Sequence, residues 1–428
     1  MAQHRIVIVG GGAGGLELAT RLGRTLGRRG GADVTLVDAQ MTHVWKPLLH
    51  EVAAGSLSAS DNELNYLAQA KWNHFHFRLG RMCGLDRVRR EIRLAPVRDA
   101  DGVEILAQRV LGYDTLVIAV GSGSNDFGTP GVLEHCVCLD STDSALRFQR
   151  QLLHRYVSAH ASGDSSQVSV AIVGGGATGV ELAAELRHAA IQLADYGLDG
   201  IRPADMRITL VEAGPRLLPA LPETISRAVE QALKSIGVEV LTGTRVREVR
   251  ADALVTDRGG PIQAALKVWA AGIRAPAFLR DLDGLATNRL NQLLVGPTLQ
   301  TTLDEDIFAL GDCAACPMAP DDAGLVPPRA QAAHQQASLL AKSLALQLRG
   351  KPLLVYRYRD FGSLVSLSQF TAVGMLAGNV RVSGWLAKAF YVSLYRMHLA
   401  ALYGSPRALL RIVGGALQRR TSPRLKLH

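Results

Sequence analysis

Cysteine is scarce and dispersed in this 428-residue chain: Cys83, Cys136, Cys138, Cys313 and Cys316 are the full set. An odd, scattered number offers no disulfide framework and suits a reducing compartment. No second Cys or His cluster with ligand spacing accompanies Cys313-x-x-Cys316, so the pair reads as inert thiols and no metal is expected. Long hydrophobic runs are also missing. No segment holds eighteen uninterrupted apolar residues, which argues against a membrane-spanning helix. The first apolar run breaks into glycine after a few residues, which is not the pattern of a signal peptide. Acid is absent from one whole region: nothing after Asp360 is Asp or Glu, while Arg381, Lys388, Arg396, Arg407, Arg411, Arg419, Arg420, Arg424 and Lys426 supply nine cations. The first 360 residues balance 38 cations against 38 acids, so the net charge of +9 lies in the tail.

What is present fits a folded α/β protein of two or three domains, with 48% hydrophobic and 20% charged residues. Near the start, a short apolar strand (Ile6, Val7, Ile8, Val9) runs into Gly10-x-Gly12-x-x-Gly15, then a helix-like run, then a strand ending on Asp38. That order lets the backbone turn sharply, brings main-chain N–H groups against a pyrophosphate and packs the helix close to the sheet. Unpaired N–H groups and the helix dipole favour an anion there. Asp38 can accept hydrogen bonds from both ribose hydroxyls and would repel a ribose phosphate, so the stretch reads as an adenine dinucleotide site. The following loop, residues 42–55, mixes aromatic, basic and proline residues; it reads either as a ligand-proximal loop carrying Lys46 or as a packed surface loop. Residues 113–122 form a buried-type strand stopping at Gly121, which is expected to return to the first sheet, with residues 122–131 as a crossover.

The opening pattern then recurs. Residues 168–173 lead into Gly174-x-Gly176-x-x-Gly179, a helix follows, and a later strand ends on Glu212. A repeated strand–glycine–helix–strand–acid unit points to two nucleotide sites, and Glu212 favours NAD(H) over NADP(H), with Arg216 nearby to soften that preference. Another strand, ending at Gly272, closes this second region. Farther on, Asp312 follows a buried strand and Gly311; an acid so placed can bond the sugar-alcohol chain of a flavin, which makes the first domain discontinuous.

Together the two glycine motifs, the strand ends at Gly121 and Gly272, and residues 307–312 resemble the two-dinucleotide-domain, glutathione reductase-like flavoproteins. Residues 43–53, Gly311-Asp312-Cys313-Ala314 and residues 327–337, with Gln331 and Gln335 in an AQxxxQ pattern, narrow the resemblance to the type II NADH:quinone oxidoreductases of respiratory chains. The resemblance covers almost the whole chain. It implies FAD in the first site, NADH in the second, a quinone pocket lined by Gln331 and Gln335, and a fold of two Rossmann-like domains with a C-terminal membrane-associating helical region. It also places Glu181 near the nicotinamide and flavin, where an acid can steer hydride geometry or relay a proton; Glu185 is the weaker choice, being read as a solvated helix acid. The domains are then residues 1–130 and 281–360 for FAD, 131–280 for NAD(H), and 361–428 for the basic tail.

A reduced flavin needs a positive partner, and the stretch after Pro327-Pro328 reads as a helix start whose dipole can supply it, with proline in the first turn. Gln331 and Gln335 fall on one face of that helix. His334 is placed either as a proton donor to reduced quinone or as a packed helix histidine. In the tail, residues 385–403 are rich in Leu, Ala and aromatics, and Gly404-Ser405-Pro406 breaks the run, with Ser405 as N-cap and Pro406 first in the next helix. On a helical wheel Arg407, Arg411 and Gln418 oppose Leu409, Leu410, Val413, Ala416 and Leu417, the layout of a helix lying in an anionic lipid interface, a docking helix being the plainer reading. No nucleic-acid motif accompanies the charge.

The expectation is a peripheral flavoenzyme on the cytoplasmic face of the inner membrane, passing two electrons from NADH to quinone without ion pumping, with homodimerisation left open. A sulfide:quinone oxidoreductase shares the fold, but that chemistry needs a cysteine from the C-terminal half, and none follows Cys316. A nucleotide-dependent redox sensor is the rival from another class.

Overall fold

The computed structural model describes residues 3–322, 324–367, 372–376, 380–421 and 425. Arg424 and Lys426 of the basic tail lie outside the described residues, as do the side chains of Ser405, Ala416, Gln418, Arg419 and Arg420. Helices α1 (Ala13–Thr25), α2 (Leu49–Ala54), α3 (Ala177–Asp195), α4 (Ala330–Gln347), α5 (Gly384–Tyr403) and α6 (Ser405–Thr421) carry most of the residues singled out above. Two compact units form. One holds Met1–Trp45, Glu63–Gly123 and Ile273–Arg359; the other holds Lys46–Asn62, Ser124–Gly272 and Asp360–His428.

The first unit is built on a six-stranded sheet in the order Gln300–Thr301, Asp304–Ala309, Thr115–Ile118, Arg5–Val9, Asp33–Asp38, His76–Leu79. Every pairing is parallel except the first. Its central strands are mostly apolar runs because both faces are covered: Ile6, Ile8, Leu36, Leu116 and Val117 are buried. The register aligns Val9 with both Val37 and Ile118, and Ile118 with Ala309. The turns after Val9, Val37, Ile118 and Ala309 therefore leave one edge of the sheet together, the carboxyl edge where ligands bind in open α/β sheets.

A five-stranded parallel sheet organises the second unit, in the order Val137–Cys138, Leu266–Trp269, Val170–Val173, Ile208–Val211, Val238–Leu241. Val173 is aligned with both Val211 and Trp269, so Gly174, Glu212 and the strand end before Gly272 share an edge. Residues 46–62 belong to this unit because α2 packs against α3 and the helix Thr142–Ser162. The domain limits drawn from sequence assign that segment to the first domain and leave the tail as a separate region. Instead the tail begins with a three-stranded antiparallel sheet (Gly362–Ser366, Ala372–Leu376, Val380–Ser383) packed with α3 and α5.

The break at Gly404 separates α5 from α6, as the sequence anticipates, but α6 starts one residue earlier than expected, with Ser405 its first residue rather than its N-cap and Pro406 its second; Gly404 has φ +75°, a left-handed setting that suits glycine. On these helices Trp385, Phe390 and Met397, then Leu409, Leu410, Val413 and Leu417, are exposed. Arg411 stacks over the Tyr403 ring, 4.8 Å from its centroid. Among the described residues no helix is long and apolar enough to cross a membrane.

Candidate active site

In the first unit the turn Gly10–Gly12 is held from two sides. Gly10 N–H donates to Val37 O at 2.8 Å, and Gly11 N–H donates to Asp38 Oδ2 at 2.6 Å. Gly10 adopts φ +101°, a setting closed to other residues. A Cβ on Gly15 would lie 1.8 Å from Gly10 O, so this glycine is what lets α1 approach the strand. Asp38 also accepts from Gln40 N–H at 2.8 Å; burial pushes its carboxyl upward, and these backbone donors pull the other way. Tyr66, buried, donates its hydroxyl to Gly11 O at 2.8 Å and backs the turn from below.

The second unit repeats this construction bond for bond. Gly174 N–H donates to Val211 O at 2.8 Å, Gly175 N–H to Glu212 Oε2 at 2.6 Å, and Gly214 N–H to Glu212 Oε1 at 2.6 Å. Gly174 has φ +113°, and a Cβ on Gly179 would lie 2.0 Å from Gly174 O. In both turns the acid at the end of the second strand clamps the glycine loop through a backbone N–H.

These turns fit dinucleotides on structural grounds. Gly12 and Gly176 stand at the N-caps of α1 and α3 with no side-chain cap, which leaves helix N–H groups for an outside acceptor. A Cβ on either would meet no protein atom within 4 Å, so the backbone there faces open space into which a phosphate can come. At the same sheet edges, Gly121 and Gly272 both take left-handed φ, +68° and +63°. Asp312 is steadied by Ser122, whose hydroxyl donates to Oδ2 at 2.8 Å, and its backbone oxygen accepts from Gln292 Nε2 at 2.9 Å. Lys46 falls in the second unit, where Nζ lies 3.9 Å from Asp140 Oδ1. Cys313 and Cys316 are buried free thiols pushed up by burial to about 11 and about 12, which keeps them protonated and unreactive.

Glu181, one turn into α3, is 6% exposed and sits among polar groups from three segments. Its Oε1 accepts from Ser366 N–H at 2.9 Å, His50 Nδ1 from α2 lies 3.5 Å from Oε2, and Lys388 from α5 donates to Ser366 Oγ at 2.8 Å. Burial raises the Glu181 carboxyl to about 8, against the Ser366 hydrogen bond. His50 is driven down to about 3, by burial first and then by the charge of Lys388. Near neutral pH this is a protonated carboxyl beside a neutral imidazole rather than an ion pair. Glu185 is buried as well, with its carboxyl also raised by burial, so the solvated role expected for it is incorrect: the helix face that carries both acids is covered.

Helix α4 begins at Ala330 with Arg329 as an N-cap in extended conformation and no side-chain cap. Pro327 and Pro328 precede the helix instead of occupying its first turn. Gln331 and Gln335 are half-buried on one face, and both amides are engaged. Gln331 Nε2 donates to the Tyr358 hydroxyl at 2.9 Å. Gln335 grips the Arg359 backbone at both ends, Nε2 donating to its oxygen at 2.8 Å and Oε1 accepting its N–H at 3.1 Å. His334 Nδ1 pairs with Glu17 of α1. Buried Gln336 holds the helix on a third side, accepting from Gly311 N–H at 2.7 Å.

Sequence reasoning missed Tyr66, Glu17, Tyr358 and Ser366, and it singles out Lys388 only as one of the tail cations. His50 lies in a stretch singled out from the sequence, yet nothing local separates it from its neighbours. Each acts through partners far along the chain, and no spacing rule encodes such pairings.

Residues 4–337 match the family described as pyridine nucleotide-disulphide oxidoreductases. The type II NADH:quinone oxidoreductase of Haemophilus influenzae is 48% identical over 446 aligned residues, which cover 100% of both chains. Among solved structures, NDH2 from Plasmodium falciparum in complex with NADH superposes with a TM-score of 0.84 at 18% identity, covering 99% of each chain. The sulfide:quinone oxidoreductase of Aquifex aeolicus gives 0.72 at 17% identity, covering 94% of this chain and 92% of that one. Both structural likenesses show the shared fold, a doubled dinucleotide-binding architecture that does not choose between the two chemistries. Full-length identity does choose: the chain belongs to the type II NADH:quinone oxidoreductases, within the pyridine nucleotide-disulphide oxidoreductase family.

Proposed function

We propose that this protein oxidises NADH and reduces a membrane quinone, using FAD held by the first unit. The full-length relation to the Haemophilus influenzae enzyme carries this reading, and the duplicated turn supports it by supplying two dinucleotide sites in one chain. Gly10, Gly12, Gly15, Asp38, Gly121 and Asp312 would hold the FAD; Gly174, Gly176, Gly179, Glu212 and Gly272 would hold NADH. Bound FAD supplies a two-electron carrier between the nicotinamide and the quinone.

The chain's own residues then do four things. The uncapped N-termini of α1 and α3 take the two pyrophosphates, and Asp38 and Glu212, already clamped to their glycine loops, take the ribose hydroxyls. Glu181, kept protonated by burial, presents a neutral acid in the nicotinamide-binding unit without placing a full charge there. Gln331 offers its amide to a quinone carbonyl, while Gln335 fixes the 359 backbone beside it. His334 gives a proton to the reduced quinone.

Exposed apolar residues on α5 and α6, with Arg407 and Arg411, support peripheral attachment to an anionic membrane surface, on the cytoplasmic face. Homodimerisation through the same face is the competing arrangement. Anaerobic stopped-flow tests the reaction: NADH should bleach the bound flavin, and a short-chain quinone should restore it. Gln331→Ala should slow reoxidation at least tenfold while NADH still reduces the flavin at the wild-type rate. Bleaching by sulfide but not by NADH would overturn the reading in favour of sulfide oxidation, and reduced flavin indifferent to quinone would favour a sensor.

A further inference from the structure

Glu17 stands between Leu16 and Leu18 on α1, in a row of buried residues, and is itself only 1% exposed. A carboxylate removed from water is costly unless donors surround it. Three do. Arg21 Nε, one turn along α1, reaches Oε1 at 2.7 Å; Ser338 Oγ reaches the same oxygen at 3.2 Å; His334 Nδ1 pairs with Oε2. His334 and Ser338 are one turn apart on α4, so one carboxylate of the dinucleotide-binding helix ties down a face of the helix that carries Gln331 and Gln335. Burial alone would raise the Glu17 carboxyl, but His334 and Arg21 outweigh it and hold the group below its ordinary range.

We propose that Glu17 is the positioning residue for His334 in quinone reduction: it accepts the Nδ1 hydrogen, sets the plane of the ring, and leaves Nε2 as the edge that releases a proton. This rests on the assignment of His334 as proton donor made above. The overall reaction converts NADH, one proton and quinone to NAD⁺ and quinol. His334 Nε2–H breaks as a quinol O–H forms, the electrons having come from NADH, and solvent returns the proton to the ring, whose side chain is 25% exposed. A carboxylate hydrogen-bonded to one imidazole nitrogen fixes the orientation of the ring and so directs the other nitrogen.

Arg21 competes for the same carboxylate. His43, buried on the short strand Thr42–His43, is pushed down to about 4, by burial first and by His334 second, and so carries no charge at working pH. Asp312, on the turn that packs against α4, is engaged by Ser122.

The test uses the holoenzyme, reduced with NADH and mixed with a short-chain quinone. Glu17→Gln should slow reoxidation about tenfold or more, because a misdirected ring delivers its proton poorly. His334→Asn should slow it at least as much, and adding Glu17→Gln to His334→Asn should cost nothing further, which a merely structural role would not give. Arg21 is 40% exposed, so Arg21→Gln keeps the fold if Glu17→Gln does not, and its effect on reoxidation should likewise disappear in the His334→Asn background. Losses that add in the double variants overturn the role of Glu17 alone; reoxidation at the wild-type rate in His334→Asn overturns the assignment of His334 and, with it, this proposal.

Discussion

Gly176 and Gly179 lie three residues apart in one turn, and the structure predicts opposite fates for the same substitution at the two positions. Gly179→Ala puts a Cβ 2.0 Å from Gly174 O, where contacts under 3.0 Å are essentially never seen, so strand or helix must shift by about 1 Å. Overpacking of that kind costs about 1–3 kcal/mol or more, which for a domain of this size lowers Tm by roughly 2–12 °C. Gly176→Ala meets nothing within 4 Å, and φ −73°, ψ −177° is open to alanine. Its stability cost is the N-cap preference alone, about 1 kcal/mol or less. The methyl group instead occupies the space that a pyrophosphate would approach, so KM for NADH should rise about tenfold or more, equivalent to about 1.4 kcal/mol. Thermal melting and steady-state kinetics of the two variants settle the matter. Unchanged KM in Gly176→Ala, or a melting loss equal to that of Gly179→Ala, would refute the reasoning.

Burial raises the Glu181 carboxyl to about 8 while the unfolded chain ionises it near 4.5. Across that window the folded state holds a proton the unfolded state has lost, so stability falls as pH rises, by at most about 1.4 kcal/mol per unit. Glu181→Gln should lose less, and the Tm difference between the proteins should widen in favour of the variant from pH 5 to pH 8; a constant difference would count against a buried, protonated Glu181. Glu212→Ser removes the acid expected to repel a ribose phosphate, so kcat/KM for NADPH relative to NADH should rise at least tenfold, and an unaltered ratio would place discrimination elsewhere. Leu410→Glu, at a position 73% exposed, should leave Tm within about 1 °C yet weaken co-sedimentation with anionic vesicles. Retained vesicle binding together with loss of a dimer would point to the protein-docking use of that face.

Local chemistry made much of this protein legible from its residues. A strand that runs into Gly10-x-Gly12-x-x-Gly15 needs left-handed φ and a close helix, and it announces both within a dozen residues; the copy at Gly174 to Gly179 does the same. Asp38 and Glu212 are found by counting along the chain because a βαβ unit has a set length. The break at Gly404 and the uncompensated cations of the tail are likewise properties of neighbours in sequence. Tertiary structure alone decided the rest. Glu17 looks like any helix acid until α4, more than 300 residues later, covers it and supplies His334 and Ser338. Glu185 has the composition of a solvated position and is buried because α3 is enclosed on that side. Gln335 has a free amide on paper, but the 359 backbone takes up both its ends. Residues 46–62 follow the first motif in sequence yet pack with α3 in the second unit. Backbone conformation answers to nearest neighbours, whereas burial and pairing depend on which distant segment arrives.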